Sequence, residues 1–132
     1  MLSRRSFSLS IAALAASVAA VAPALSATQQ SFDAKAFAEA QAAGKPILVA
    51  VHATWCPTCK AQAPILGKLL ADPKFKDLVF LVVDFDAQKD VVKRFGVRTQ
   101  STLIAFNGAS ERARSVGDTD ADSIAALVNK AL

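Results

Sequence analysis

Apolar residues after residue 27 follow two patterns that alternate along the chain. One is a largely apolar run of strand length, which is typical of a strand buried on both faces of a sheet. Such runs lie at 47–51, 78–85 and 102–106, and a more polar strand pattern lies at 112–116. The other spacing places apolar residues three or four positions apart, as on the buried side of a helix. These helical patterns lie at 32–40, 56–70, 91–95 and 124–128.

The ends of these elements carry residues that start, bend or stop them. Ser31 is the expected cap of the first helix, and a Thr-x-x-Asp pattern at 119–122 caps the last one. Pro64 predicts a kink in the second helix, and Asn107-Gly108 predicts a hairpin turn. Strands that alternate with helices before a hairpin predict an α/β sandwich. Helices would flank a central mixed β-sheet, and a C-terminal helix would follow the hairpin.

Residues 1–27 differ in composition from the rest of the chain and predict a signal peptide. Arg4 and Arg5 precede an apolar run at 9–21, and small residues follow at 24–27, where cleavage is expected. The apolar run is short and interrupted by serines. We therefore expect a mature protein that does not span a membrane.

The paired arginines bear on the export route. Ser3-Arg4-Arg5-Ser6-Phe7 resembles a twin-arginine signal, which exports folded proteins. Paired arginines also occur in ordinary secretory signals, so the general secretory route is the alternative to the favoured twin-arginine route. Either route predicts a periplasmic protein whose mature part, residues 28–132, forms one domain. Disulfide chemistry is permitted outside the cytoplasm.

The distribution of charge does not indicate a nucleic-acid partner. The chain has 15 basic and 11 acidic residues, a formal charge of +4, but two of the basic residues belong to the predicted signal peptide. No basic run interleaved with aromatic residues appears, so nucleic-acid binding is not expected. No flavin or nicotinamide motif appears either, and we expect no cofactor.

The candidate chemistry lies in five consecutive residues, Trp55-Cys56-Pro57-Thr58-Cys59, which contain the only two cysteines. Proline prefers the first position of a helix, which makes Cys56 the N-cap and Cys59 the third helical residue. The Cys56 sulfur would then face the N–H of Cys59 at the positive end of the helix dipole. Both effects favour the reactive thiolate. The spacing thus suits a disulfide that opens and closes, with Cys56 attacking and Cys59 resolving.

Other uses of two cysteines remain alternatives. A zinc site normally needs four ligands, and only His52 offers a further nitrogen donor. A permanent structural disulfide over so short a loop would stabilise the fold weakly. The rival to a redox function is a module in which His52, Cys56 and Cys59 bind a soft metal or an iron–sulfur cluster.

Short motifs spread over nearly all of the mature part share one resemblance. They are Gly44-Lys45-Pro46, Ala53-Thr54-Trp55-Cys56-Pro57-Thr58-Cys59-Lys60, Pro64, Val83-Asp84-Phe85-Asp86, Phe95-Gly96-Val97-Arg98, Thr102-Leu103 and Phe106-Asn107-Gly108. Together they resemble the thioredoxin family, far more specifically than a lone Cys-x-x-Cys motif. The resemblance implies a thioredoxin-like fold and thiol–disulfide exchange, with Cys56 as the nucleophile and Cys59 as the resolving thiol.

The same resemblance implies partners and surrounding residues. The substrates would be thiols and disulfides of proteins. Reduction is favoured over oxidation, and its electrons would come from a membrane-bound thiol partner because the chain has no cofactor motif. Trp55 would cover the sulfurs, and we assign it with Pro57, Thr58, Gln100 and Ser101 to substrate binding or tuning of the cysteine pair.

Two positions depart from the family pattern. Ala50 stands where the family has a buried aspartate, and residues 100–102 read Gln-Ser-Thr where the family has Ile-Pro-Thr with a cis bond. A cis bond before a non-proline residue costs roughly 3–4 kcal/mol, so we predict a trans bond before Ser101. The N–H or hydroxyl of Ser101 is then expected to reach the Cys56 sulfur. The alternative is a neutral replacement in a surface loop.

A third departure is His52, where the family usually has an aromatic residue. It lies four residues before Cys56 and could transfer protons near neutral pH, in place of the carboxylate that Ala50 lacks. The alternative is a packing or hydrogen-bonding role at the end of a buried strand, which is the commoner use of a lone histidine.

Overall fold

The computed structural model describes residues 27–132, and the remainder of the predicted signal peptide lies outside the described residues. The elements are β1 (Gln29–Ser31), α1 (Ala34–Ala42), β2 (Pro46–His52), α2 (Pro57–Leu70), a 3-10 turn (Pro73–Phe75), β3 (Val79–Asp84), α3 (Lys89–Arg94), β4 (Thr102–Asn107), β5 (Ser110–Val116) and α4 (Ala121–Asn129). Within the described range, no helix is long and apolar enough to cross a membrane.

The strands form one mixed sheet in the order β1-β3-β2-β4-β5. β1, β3 and β2 run parallel to one another, whereas β4 is antiparallel to β2 and β5 is antiparallel to β4. Gly108 and Ala109 form the turn between β4 and β5. The predicted fold class is confirmed: a mixed sheet flanked by helices, with a hairpin and a final helix.

Helices cover both faces of the sheet. Successive side chains of β2 point to opposite faces, so this strand contributes to a core on each side. Leu48 and Ala50 pack into a core with α2 and α4. Ile47, Val49 and Val51 pack into a second core with α1 and α3. Since only four residues join β2 to α2, the cysteines lie at the carboxyl end of the central strand.

The beginning of the fold differs from the prediction. Ser31 does not cap α1; it lies in β1 and pairs with Val82 of β3. The cap is Asp33, whose side chain accepts a hydrogen bond from the N–H of Ala36 at 2.8 Å. The sequence does not predict β1, because its three residues are polar and exposed and show no apolar pattern.

The cap of α4 lies one residue after the predicted position. Asp120, and not Thr119, accepts a 2.8 Å hydrogen bond from the N–H of Ser123. Asp118 supports the same turn, because its carboxylate accepts hydrogen bonds from the Asp120 N–H and the Ser123 hydroxyl. Aspartate and threonine are both good caps, so spacing alone does not distinguish them.

Candidate active site

The cysteine pair lies at the N-terminus of α2 as the sequence predicts. Cys56 is the N-cap with an extended backbone, and Pro57 is the first helical residue. The N–H of Cys59 donates a hydrogen bond to the Cys56 sulfur at 3.1 Å. The two residues form a disulfide, and their Cα atoms lie 5.3 Å apart. The helix start thus directs a free N–H and the positive end of its dipole at the Cys56 sulfur.

Both cysteines are covered by neighbouring residues in the disulfide form. Cys56 is 1 % exposed and Cys59 is 3 % exposed, and they pack with Ala53 and Phe85. Burial therefore does not show which sulfur is the more reactive. The backbone positions distinguish them, because Cys56 caps the helix and Cys59 lies inside its first turn.

Trp55 is held beside the cysteines by the loop that follows β3. Its indole N–H donates a 2.7 Å hydrogen bond to the Asp86 carboxylate, and its ring packs edge-on against Phe85. Asp84 fixes this loop, because its Oδ1 accepts hydrogen bonds from the N–H groups of Asp86 and Ala87, each at 2.9 Å. Trp55 is still 55 % exposed, so an ordered aromatic ring is presented to solvent next to the disulfide.

The loop at Ser101 differs from its sequence-based prediction in one respect. All peptide bonds in residues 27–132 are trans, including the bond before Ser101, as predicted. However, the Ser101 N–H donates to the Val51 carbonyl at 2.7 Å, and its hydroxyl donates to the Gln100 carbonyl at 2.5 Å. In the disulfide form neither donor is directed at the Cys56 sulfur. Ser101 is also only 5 % exposed, so the surface-loop alternative does not describe it either.

Gln62 is a site residue that the sequence reasoning missed. It is 4 % exposed, and its side-chain amide donates to the Ser101 carbonyl at 3.2 Å and to the Asp118 carbonyl at 2.8 Å. The N–H of Gly117 donates to the same Ser101 oxygen at 3.1 Å. The available signal was a polar residue at helical spacing from the buried Cys59. Gln62 thus joins α2 to two loops that flank the site.

A partly enclosed cavity of about 200 Å³ lies behind the cysteines, between α2 and the sheet. Cys59 and Gln62 line it from α2, and Ala50 and His52 line it from β2. The small side chain of Ala50 contributes to this space. His52 is half-buried at the end of β2, and it lies on the same face of the strand as Ala50 because side chains alternate.

The other assigned residues have simpler surroundings. Pro57 is exposed and Thr58 is partly buried in the first turn of α2, and Gln100 is partly buried before Ser101. Within residues 27–132, no three histidine, cysteine, aspartate or glutamate side chains form a group that could hold a metal ion. His52, Cys56 and Cys59 therefore do not form a metal site in this part of a single chain.

Comparison with known proteins gives consistent similarities. A family model for thioredoxin matches residues 24–130. A thioredoxin of Chlamydia muridarum is 38% identical over 94 residues, which cover 71% of this chain and 89% of that protein. Protein disulfide-isomerase erp38 of Neurospora crassa is 38% identical over 124 residues, which cover 92% of this chain but 32% of that protein. The crystal structure of Trxlp from Edwardsiella tarda has a TM-score of 0.74 and 40% identity, over 76% of this chain and 98% of that one.

Proposed function

Because this chain belongs to the thioredoxin family and is a thiol–disulfide oxidoreductase, we propose that it exchanges disulfides with protein substrates outside the cytoplasm. Cys56 is the nucleophile and Cys59 the resolving thiol. The observation that carries this assignment is the 3.1 Å hydrogen bond from the Cys59 N–H to the Cys56 sulfur. In the reduced protein the same N–H and the helix dipole stabilise a thiolate on Cys56.

The reaction proceeds in two exchanges. The Cys56 thiolate attacks one sulfur of a substrate disulfide, which forms a mixed disulfide and releases the other substrate sulfur as a thiolate. The Cys59 thiolate then attacks the Cys56 sulfur, which breaks the mixed disulfide and releases the second substrate thiolate. Two electrons pass from the cysteine pair to the substrate, and the protein is left with the disulfide seen between Cys56 and Cys59.

Reduction of substrates is the favoured direction, and it requires a source of electrons. The sequence has no flavin or nicotinamide motif, so a membrane-bound thiol protein is the proposed donor. Export through the signal peptide at residues 1–27 places the protein in the periplasm. The reduction potential, measured against glutathione, decides the direction: a value well below that of glutathione supports a reductase, and a value well above it supports an oxidase.

Trapping tests the two cysteine roles. Cys59→Ser leaves a mixed disulfide that cannot be resolved, so this variant should retain substrate proteins covalently through Cys56. Cys56→Ser should retain none, since it lacks the attacking sulfur. Alkylation of the reduced protein at mildly acidic pH should label Cys56 before Cys59, because the thiolate is the reactive form. Trapping through Cys59, or faster labelling of Cys59, reverses the assignment.

A further inference from the structure

His52 and Cys59 line the same cavity, and this arrangement bears on how Cys59 loses its proton. The cavity has a volume of about 200 Å³, which is room for several water molecules. Among the residues that line it, Cys59 and His52 carry the only titratable side chains. Gln62 adds a polar side chain to the lining. A proton on the Cys59 sulfur therefore has one side-chain acceptor facing the same space.

The resolving step needs such an acceptor. Cys59 must lose its proton before it can attack the mixed disulfide, since the thiolate is the nucleophile. Its sulfur is buried beside Ala53 and Phe85, and burial disfavours the charged form. The sulfur lies 3.9 Å from the Val51 carbonyl oxygen, and a carbonyl oxygen can accept a hydrogen bond but does not take up the proton.

We propose that His52 is the proton acceptor for Cys59, with the transfer carried by water in the shared cavity. The inference rests on the proposed roles of Cys56 and Cys59. The imidazole takes up the Cys59 proton, and the resulting thiolate attacks the Cys56 sulfur and displaces the substrate thiolate. The imidazolium then returns its proton to solvent or to the departing thiolate. In the opposite direction His52 supplies the proton that Cys59 takes up as it leaves the disulfide.

Charged side chains on the neighbouring elements make other hydrogen bonds or are exposed. Asp84 pairs with His52 across β2 and β3, but its Oδ1 accepts hydrogen bonds from the N–H groups of the following loop. Asp86 accepts the indole N–H of Trp55. Lys60 of α2 is exposed. None of these three side chains lines the cavity, so the path from Cys59 leads to His52.

The two exchanges can be measured separately in one reaction. The reduced protein is mixed with dithiobis(nitrobenzoate), an aromatic disulfide that releases a coloured thiolate at each exchange. The first phase reports attack by Cys56, and the second reports resolution by Cys59. His52→Ala removes the acceptor and enlarges the cavity, whereas His52→Phe removes the acceptor and keeps a ring. Gln29→Ala is the matched control, because Gln29 also lines the cavity but cannot accept the proton.

We expect His52→Ala and His52→Phe to slow the second phase by about 100-fold, the lower end of what a positioned acid or base contributes. The first phase and the Gln29→Ala variant should keep the wild-type rates. Added imidazole should restore the second phase in His52→Ala, where there is space for it, and not in His52→Phe.

Two results overturn this inference: an unchanged second phase in both His52 variants, or a slow second phase in His52→Ala that imidazole does not restore. The second result would mean that His52 acts only on structure. Failure of the proposed function looks different, because Cys56 would then give no first phase even in the wild-type protein. If His52→Ala does not fold, His52→Gln keeps a polar side chain of similar size and tests the same step.

Discussion

The side-chain amide of Gln62 donates one hydrogen bond to the carbonyl oxygen of Ser101, 39 residues away in the sequence, and another to the carbonyl oxygen of Asp118. The first bond joins the helix that carries the cysteines to the loop beside them. The second joins the same helix to the turn before α4. A single buried side chain therefore fixes the position of α2 relative to two loops.

Gln62→Leu should lower the free energy of unfolding by about 1–3 kcal/mol, because it removes the donor that the buried Gln62 side chain offers to the partly buried Asp118 carbonyl. Urea unfolding of the oxidised protein measures this change. Gln41→Leu is the matched control: it makes the same chemical change on α1, where Gln41 is only partly buried, and should stay within about 0.5 kcal/mol of wild type. Equal losses in the two variants would contradict the role given to Gln62.

Substitutions of Ser101 should separate its backbone from its hydroxyl. Its φ of 60° is left-handed, a conformation that costs an L-residue roughly 1–2 kcal/mol and glycine almost nothing. Ser101→Gly should therefore be more stable than Ser101→Ala by about 1 kcal/mol. Ser101→Pro should be the least stable of the three, because proline fixes φ near −65° and removes the N–H that binds the Val51 carbonyl.

Urea unfolding ranks these Ser101 variants, and alkylation of Cys56 adds a second reading. Because the Ser101 hydroxyl donates to the Gln100 carbonyl, Ser101→Ala should leave the alkylation rate of Cys56 unchanged. A slower rate would show that the hydroxyl turns toward the sulfur once the disulfide is reduced. A proline variant more stable than the glycine variant would show that the loop can rebuild.

Ala50→Val should stabilise the oxidised protein, because Ala50 is buried and borders the cavity behind Cys59. Two added carbon atoms at about 0.8 kcal/mol each give an expected gain of up to about 1.6 kcal/mol. Ala105→Val is the control on the neighbouring strand: Ala105 is fully buried and does not line this cavity, so the added volume should cost about 1–3 kcal/mol. Thermal unfolding of both variants measures the difference, and a loss at both positions would show that the cavity cannot accept the side chain.

Export predicts a defined N-terminus for the mature protein. N-terminal sequencing of the protein purified from the periplasm of a bacterial host should give a start between residues 25 and 28. Replacing Arg4 and Arg5 with lysine should abolish export if the twin-arginine route is used and leave it intact if the general route is used. A protein that keeps its first residues and stays in the cytoplasm would contradict the signal-peptide interpretation.

The fold could be predicted because its main signals are local. β2, β3 and β4 are apolar runs, since each is buried on both faces, and Pro57 identifies the start of α2. β1 could not be predicted, because its three polar residues are exposed and its pairing with β3 uses the backbone. The same absence of a pattern led to Ser31 as the cap in place of Asp33.

The candidate site likewise contains contacts that the sequence predicts and contacts that it does not. The contact between Cys56 and Cys59 spans three residues and follows from helix geometry, so spacing alone predicts it. The hydrogen bond from Trp55 to Asp86 spans 31 residues. It depends on how the loop after β3 packs against the loop after β2, and no local sequence pattern predicts that packing. The Ser101 N–H likewise donates to the Val51 carbonyl and not to the Cys56 sulfur. Val51 is distant in the sequence, so no local pattern predicts this acceptor.

Trp55 is the only tryptophan of the chain, which has no tyrosine, and its hydrogen bond to Asp86 gives the indole a defined place beside the disulfide. Light emitted by the indole therefore comes from one point, the reactive end of α2. The protein carries its own optical probe, so opening of the disulfide, docking of a partner and global unfolding can all be followed by fluorescence without an added label. Asp86→Asn would keep a hydrogen-bond acceptor for this probe, and Asp86→Ala would release it.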